Sequence, residues 1–233
     1  MSNPSNAAKW TFHDPSSTSS YTVTPSSPNS YTINITSSAR TDWWTTAPGS
    51  SPESSAHRNS GPVLYQTHLL SPTTTTLNFR LSGRVIQTGN ERFQQSTLFI
   101  RRATPSVDAH EGQLWLKAGV ENEGGKKYVG VVATNPYSDW NVSPLPPSAS
   151  SSSGVRIEIE KIGPDVHVYY TLEGERLLLR EKKGFAMPEG GGGGEEEWWW
   201  VGVMVCGPLS DKTEGSVEGW LFELLPAEGV QSH

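Results

Sequence analysis

The sequence predicts an all-β protein, an antiparallel sandwich of two sheets, and three observations carry that reading. Helical periodicity is nearly absent along the 233 residues. About a dozen short segments alternate apolar and polar residues with the period of two that marks half-buried strands. Between them stand turn signals, and 23 glycines with 17 prolines suit many turns and few helices. Only 34% of residues are hydrophobic, but nine tryptophans supply a large buried area per residue, enough for one extended core.

The candidate strands, in order, are 9–14, 21–24, 30–36, 62–69, 76–87, 95–102, 113–123, 127–134, 155–162, 166–172, 176–181, 199–206 and 219–225. Alternation is clean in several. Leu77, Phe79, Leu81 and Val85 oppose Asn78, Arg80, Ser82 and Arg84, and Val155, Ile157 and Ile159 oppose Arg156, Glu158 and Glu160. Glu123-Gly-Gly-Lys126 joins two strands as a hairpin, because paired glycines reach positive φ without steric cost. Leu172-Glu-Gly-Glu175 is a second hairpin of that kind. Two flexible loops are expected within one domain over 9–226: a Pro/Ser-rich stretch at 146–154, and 188–197, where five glycines precede three glutamates. Residues 1–8 and 227–233 are expected to be disordered termini, and 57–61 reads as a loop.

Composition excludes several classes. The formal net charge of −6 and the lack of a basic stripe argue against a nucleic-acid partner. Arg101-Arg102 and Lys126-Lys127 are isolated pairs of the surface kind. No run approaches the roughly 20 apolar residues of a membrane-spanning helix. The first residues carry neither a basic start nor an apolar core, so no secretory signal is expected. A single cysteine, Cys206, forbids an internal disulfide and fits a reducing compartment, so the expected location is cytoplasmic. The six histidines lack the spacing of a zinc site, and the glycine tract lacks the Lys-Ser/Thr of a phosphate loop. No metal or cofactor is implied.

The densest signal is Gln113-Leu-Trp-Leu-Lys-Ala-Gly-Val-Glu121. It places Leu114, Leu116, Ala118 and Val120 on one face and Trp115, Lys117 and Glu121 on the other. A strand apolar behind and charged in front reads as the floor of a polar groove. On the neighbouring strand Tyr128 and Thr134 flank the Lys117/Glu121 pair, and Phe99 and Arg101 face the same way from 95–102. Asp42 and Trp44 alternate onto one face of their segment, and Ser138-Asp-Trp140 sits beyond a strand end, bringing Asp139 and Trp140 to the mouth. Aromatic walls (Trp44, Trp115, Tyr128, Trp140) over charged groups (Asp42, Arg101, Lys117, Glu121, Asp139) suit a sugar or similar flat polar ligand. The competing assignment makes Lys117 and Glu121 a structural ion pair, with Asp139 capping a turn and each tryptophan packed in a core.

The order Asp42-Trp-Trp44, Gly61-Pro-Val-Leu64, Phe79-Arg-Leu-Ser-Gly-Arg-Val85, Trp115-Leu-Lys-Ala-Gly-Val-Glu121, Ser138-Asp-Trp140 and Val201-Gly-Val-Met-Val-Cys-Gly-Pro208 resembles the DUF1349 family. That family includes fungal "regulation of enolase" proteins, within the concanavalin A-like lectin/glucanase superfamily. The resemblance implies a concanavalin A-like jelly roll with a concave face. The sequence departs from it in carrying Glu173-Gly174 where an aspartate-glycine turn is usual, and in the 188–197 insertion.

Two functions follow. The first is a lectin-like binding or regulatory protein whose groove takes a carbohydrate or small metabolite, with a protein partner as a further candidate. The second is an enzyme acting on a small metabolite, including one of specialised metabolism, with Lys117, Glu121 and Asp139 as acid/base groups. Glycoside hydrolysis needs two suitably spaced carboxyls. Glu121 with Asp139 is a better pair than Glu158 with Glu160, whose setting is that of a solvated strand face. Lys117→Ala and Glu121→Gln are expected to abolish binding or turnover and to leave unfolding nearly unchanged.

Overall fold

The computed structural model describes residues 9–47, 49, 57–71, 77–103, 114–147, 153–187 and 196–226. Strands in chain order are β1 (Thr11–His13), β2 (Ser20–Ser27), β3 (Ser30–Ser37), β4 (Trp43–Thr45), β5 (His57–Asn59), β6 (Val63–Leu70), β7 (Phe79–Gln87) and β8 (Gln95–Ala103). They continue with β9 (Trp115–Glu123), β10 (Lys126–Thr134), β11 (Ser138–Pro144), β12 (Val155–Ile162), β13 (Asp165–Leu172), β14 (Glu175–Lys182), β15 (Glu197–Cys206) and β16 (Thr213–Leu224). All pairings between them are antiparallel, in two seven-stranded sheets ordered β1-β6-β15-β8-β9-β10-β11 and β14-β13-β12-β7-β16-β3-β2. This is the two-sheet antiparallel sandwich that the alternation predicts, in the jelly-roll form that the family resemblance implies. Among the described residues no helix is long and apolar enough to cross a membrane.

The main core lies between the sheets, and the period-two rule fills it. Leu114, Leu116, Ala118 and Val120 from the β9 segment meet Leu81, Val85, Ile157 and Ile159 of the other sheet. The opposite side of β12 carries Glu158 and Glu160, which pair with Arg156, Arg80 and Arg176 on the outer surface. Both predicted hairpins form. Gly124 and Gly125 take φ of 55° and 75°, and Glu173 and Gly174 take 52° and 86°, the paired left-handed geometry that matches strand twist.

Several boundaries differ from the expectation. Residues 138–144 form an edge strand rather than a loop, because the whole segment finds β10 as a hydrogen-bonding partner. His57–Asn59 is paired with Trp43–Thr45 in a two-stranded ribbon. The predicted loop 188–197 ends early, since Glu197 opens β15. The last strand starts at Thr213 and is interrupted by a bulge between Val217 and Trp220, with Gly219 at φ 62°. That bulge hides the first half from a periodicity reading. The terminal expectations (1–8 and 227–233), residues 188–195 of the glycine-rich loop and residues 148–152 of the other loop lie outside the described residues.

The side of the first sheet turned away from the main core carries a second apolar cluster. Trp43 of the β4–β5 ribbon drops onto Phe99, Trp115, Val132 and Met204 there. The ribbon is held at both ends: Thr41 bridges Gly207, Arg40 N–H donates to Ser210 O, and Thr45 N–H donates to the Ser138 hydroxyl. Gly61 lets the ribbon close, because a Cβ there would lie 2.8 Å from the Trp43 ring whose Nε1 donates to the Gly61 carbonyl.

Candidate functional site

Register places the site side chains before any ligand is considered. Phe99, Lys117, Val132 and Trp140 stand side by side across β8 to β11 on the outer face of the sheet. Gln95, Glu121 and Tyr128 form a parallel row further along. Between the rows lie Thr97, Gly119 and Gly130, and the two glycines leave a depression because they add no side chain. The β4–β5 ribbon covers one half of this face and leaves the other half open. A cavity of about 440 Å³ remains there. Its floor is Gln95, Lys117, Glu121 and Val132. One wall is the ribbon's Asp42, Trp44, Thr46 and Arg58, and the other is Trp140 and Phe93, with Pro208 and Leu209 at the rim.

Lys117 is buried, and its Nζ donates to Asp42 Oδ1 and to the Trp43 carbonyl, both at 2.9 Å. Burial opposes the ammonium charge, but the adjoining Asp42 carboxylate, with Cys206 and Glu121 adding to it, holds the Lys117 pKa above its usual value. Asp42 Oδ1 also accepts from the Trp43 backbone N–H at 2.8 Å, and the Cys206 thiol lies 3.7 Å away. Burial pushes that thiol pKa well up, so Cys206 stays protonated and unreactive. Arg58 sits at the mouth, 3.8 Å from Asp42 Oδ2 and half exposed. Glu121 stands apart from this pair. Its Oε1 accepts from Trp140 Nε1 at 2.6 Å, and burial raises its pKa to about 7 against the opposing pull of Lys117 and that hydrogen bond. The pocket thus offers a fixed ion pair, a carboxyl that titrates near neutrality and two indole walls, Trp140 exposed and Trp44 half-buried.

Of the expected site residues, Asp42, Trp44, Lys117, Glu121 and Trp140 line this cavity. The rest do not, for identifiable reasons. Asp139 alternates with Trp140 on β11, so it points the other way and pairs with Arg180 of β14 at an exposed edge. Phe99 and Trp115 are fully buried beneath Trp43. Arg101 lies under the same cover, its guanidinium over the Trp43 and Trp200 rings. Thr134 is buried and shares its hydroxyl with Ser138, and Tyr128 stands beside Glu121 without lining the cavity. The Lys117/Glu121 ion pair is corrected too, because the partner of Lys117 is Asp42. Sequence reading missed Arg58, Gln95 and Phe93 as lining residues. Phe93 is an isolated ring in a polar turn, held at φ 64° and edge-on to Trp140. Its apolar character amid Glu91-Arg-Phe-Gln94 was the available signal. Among the described residues no three or more His, Cys, Asp or Glu side chains are grouped to hold a metal.

The profile of the family described as "Protein of unknown function (DUF1349)" matches residues 21–224. A functionally unknown protein from Saccharomyces cerevisiae has a similar structure, with a TM-score of 0.62 and 17% identity over 90% of this chain and 98% of that one. The Bacteroides ovatus protein described as xyloglucan PUL GH43B is similar with a TM-score of 0.52 and 9% identity, covering 88% of this chain and 36% of that one. An alginate lyase from Klebsiella pneumoniae gives a TM-score of 0.50 and 11% identity over 90% and 85% of the two chains. Identities this low speak to fold alone. No curated protein matches the chain.

Proposed function

The chain belongs to the DUF1349 family, whose function is unknown, and we propose that it is a cytoplasmic lectin-like binding or regulatory protein whose pocket takes a carbohydrate or small metabolite. The observation that carries this reading is the open cavity between Trp44 and Trp140, with Lys117, Asp42, Glu121 and Gln95 converging on it. Indoles offer a flat apolar surface to the C–H face of a ring, and a few buried polar groups fix its hydroxyls. Two proteins of similar fold carry carbohydrate-related descriptions, an alginate lyase and a xyloglucan GH43B protein, and a glycan-type ligand fits that company. A buried, unpaired thiol suits a reducing compartment.

Glu121 favours a second reading, an acid/base enzyme acting on a small metabolite. A carboxyl poised at about 7 is matched to proton transfer at neutral pH, and Lys117 is a fixed cation beside it. Asp139 has no part in that chemistry, because it faces the other way.

A panel of mono- and disaccharides assayed by thermal shift and calorimetry tests the binding reading. At least one should bind, and Trp140→Ala should weaken it about tenfold or more, the loss of about 1.4 kcal/mol of ring contact. Affinity unchanged by Trp140→Ala would remove the pocket from the binding site. Consumption of a bound compound, lost in Glu121→Gln, would select the enzyme reading.

A further inference from the structure

The charge of the ligand can be read from how the pocket's hydrogen-bonding groups are spent, if the pocket is the binding site. Lys117 uses two N–H groups, on Asp42 and on the Trp43 carbonyl, and a third remains. Asp42 Oδ1 already takes Lys117 and the Trp43 N–H. Arg58 approaches Asp42 Oδ2 only to 3.8 Å, longer than a hydrogen bond, and its side chain is 52% exposed, so its guanidinium fork is open to a ligand. Glu121 gives Oε1 to Trp140. The groups facing Glu121 are Lys117 and Glu123 on its own strand, Asp42 from the ribbon, Cys206 from β15, Tyr128 from β10 and Trp140 from β11. Arg92, from the turn before β8, is taken up by Glu123. Whenever Glu121 holds its proton, the cavity therefore contains two cations and one carboxylate.

We infer that the pocket takes a ring compound bearing one carboxylate, of the sugar-acid type, with its carboxylate on Lys117 Nζ and the Arg58 guanidinium and its ring between Trp44 and Trp140. Arginine's planar fork suits a carboxylate in a way that it does not suit a lone hydroxyl. Glu121 then acts as a proton-dependent gate. Protonated, it donates to the ligand or stays neutral beside it; ionised, it adds a second negative charge to the pocket and opposes binding. Affinity for the carboxylate is highest below about pH 7 and falls above it, following the direction in which Glu121 titrates.

Calorimetry on the full chain with glucuronate, glucose and benzoate, at about pH 6.5 and about pH 8.5, tests this. Glucuronate should bind about tenfold or more tighter than glucose at the lower pH, and Arg58→Gln should erase that preference. The affinity of the native protein for glucuronate should fall towards the higher pH, where the ligand's own carboxylate is already fully ionised. In Glu121→Gln that fall should vanish. Glucose binding as tightly as glucuronate, with both weakened by Trp140→Ala, overturns the charge inference and leaves the carbohydrate reading standing. Benzoate binding in place of glucuronate supports the carboxylate and overturns the saccharide. Binding of none of the three overturns the charge inference, and the wider saccharide panel then decides the carbohydrate reading.

Discussion

Lys117 is the residue on which the site is built, and its setting separates structure from binding. Its ammonium is buried against Asp42, so each charge stands in for most of the water that the other has lost. Removing one partner leaves the other charged and desolvated. Lys117→Ala should therefore cost about 3–5 kcal/mol in denaturant unfolding, and a Lys117→Met/Asp42→Asn double variant should recover much of the loss. A loss below about 1 kcal/mol, the range of an exposed pair, would contradict the buried pair. This replaces the expectation that Lys117→Ala leaves stability untouched, which assumed an open groove without the Trp43 ribbon above it. Glu121 behaves oppositely. Its folded pKa of about 7 lies above the unfolded carboxyl value, so its contribution is fully present below about pH 4.5 and is lost as pH rises through about 7. That loss is on the order of 3 kcal/mol. Glu121→Gln should thus be more stable than the native chain at pH 8 by a margin that closes towards pH 5. Equal unfolding curves at both pH values would show that Glu121 titrates as an ordinary exposed carboxyl.

At the scale of elements, the floor strand and its two neighbours were legible because both of their faces are informative. β9 shows the core a run of Leu, Ala and Val, and a one-residue slip in register would bury Lys117 and Glu121 between the sheets. The ribbon and β11 were illegible for a physical reason: three-residue strands have no period to read, and β11 carries Trp and Val on the face away from the core. Reading 138–144 as a loop removed the alternation that sends Asp139 and Trp140 to opposite sides. The glycine pair between the charged rows makes an element-level prediction. A Cβ at Gly130 would lie 3.0 Å from Glu121 Cδ, a contact with the end of a flexible side chain, whereas one at Gly119 would lie 2.0 Å from the Ser96 carbonyl. Gly130→Ala should fold and push Glu121 off Trp140, shifting the Trp140 indole N–H resonance and weakening ligand binding. Gly119→Ala should instead pry β8 from β9 and lower the melting temperature sharply. An unshifted indole resonance in folded Gly130→Ala would show that Glu121 is not held by this packing.

At the scale of the whole molecule, the two sheets are joined by more than apolar contact. Lys161 follows Val155, Ile157 and Ile159 on the inward face of β12, a lysine where the pattern calls for an aliphatic residue. Its Nζ lies 3.0 Å from Glu197 Oε2, on the first residue of β15 in the opposite sheet, and donates to the Leu77 and Gly163 carbonyls. Glu197 Oε2 also accepts from Trp199 Nε1 at 2.7 Å. Burial draws the Lys161 pKa below its usual value, and the adjoining Glu197 offsets only part of that pull. The pair sits where β15 begins and fixes that end of the strand, which runs on to Cys206 and the turn carrying Pro208 and Leu209 at the pocket rim. Glu197→Ala should cost about 3–5 kcal/mol, because Lys161 and the Trp199 N–H lose their shared acceptor inside the sandwich. Lys161→Met with Glu197→Gln should cost far less, since the amide keeps an acceptor for Trp199 and the thioether fills the lysine's space. Because both variants leave the ribbon and β11 alone, ligand affinity should be unchanged in the double variant while Glu197→Ala loses stability. Equal stability of Glu197→Ala and the native chain would mean that Lys161 finds water or another carboxylate, and that the clamp between the sheets is apolar packing alone.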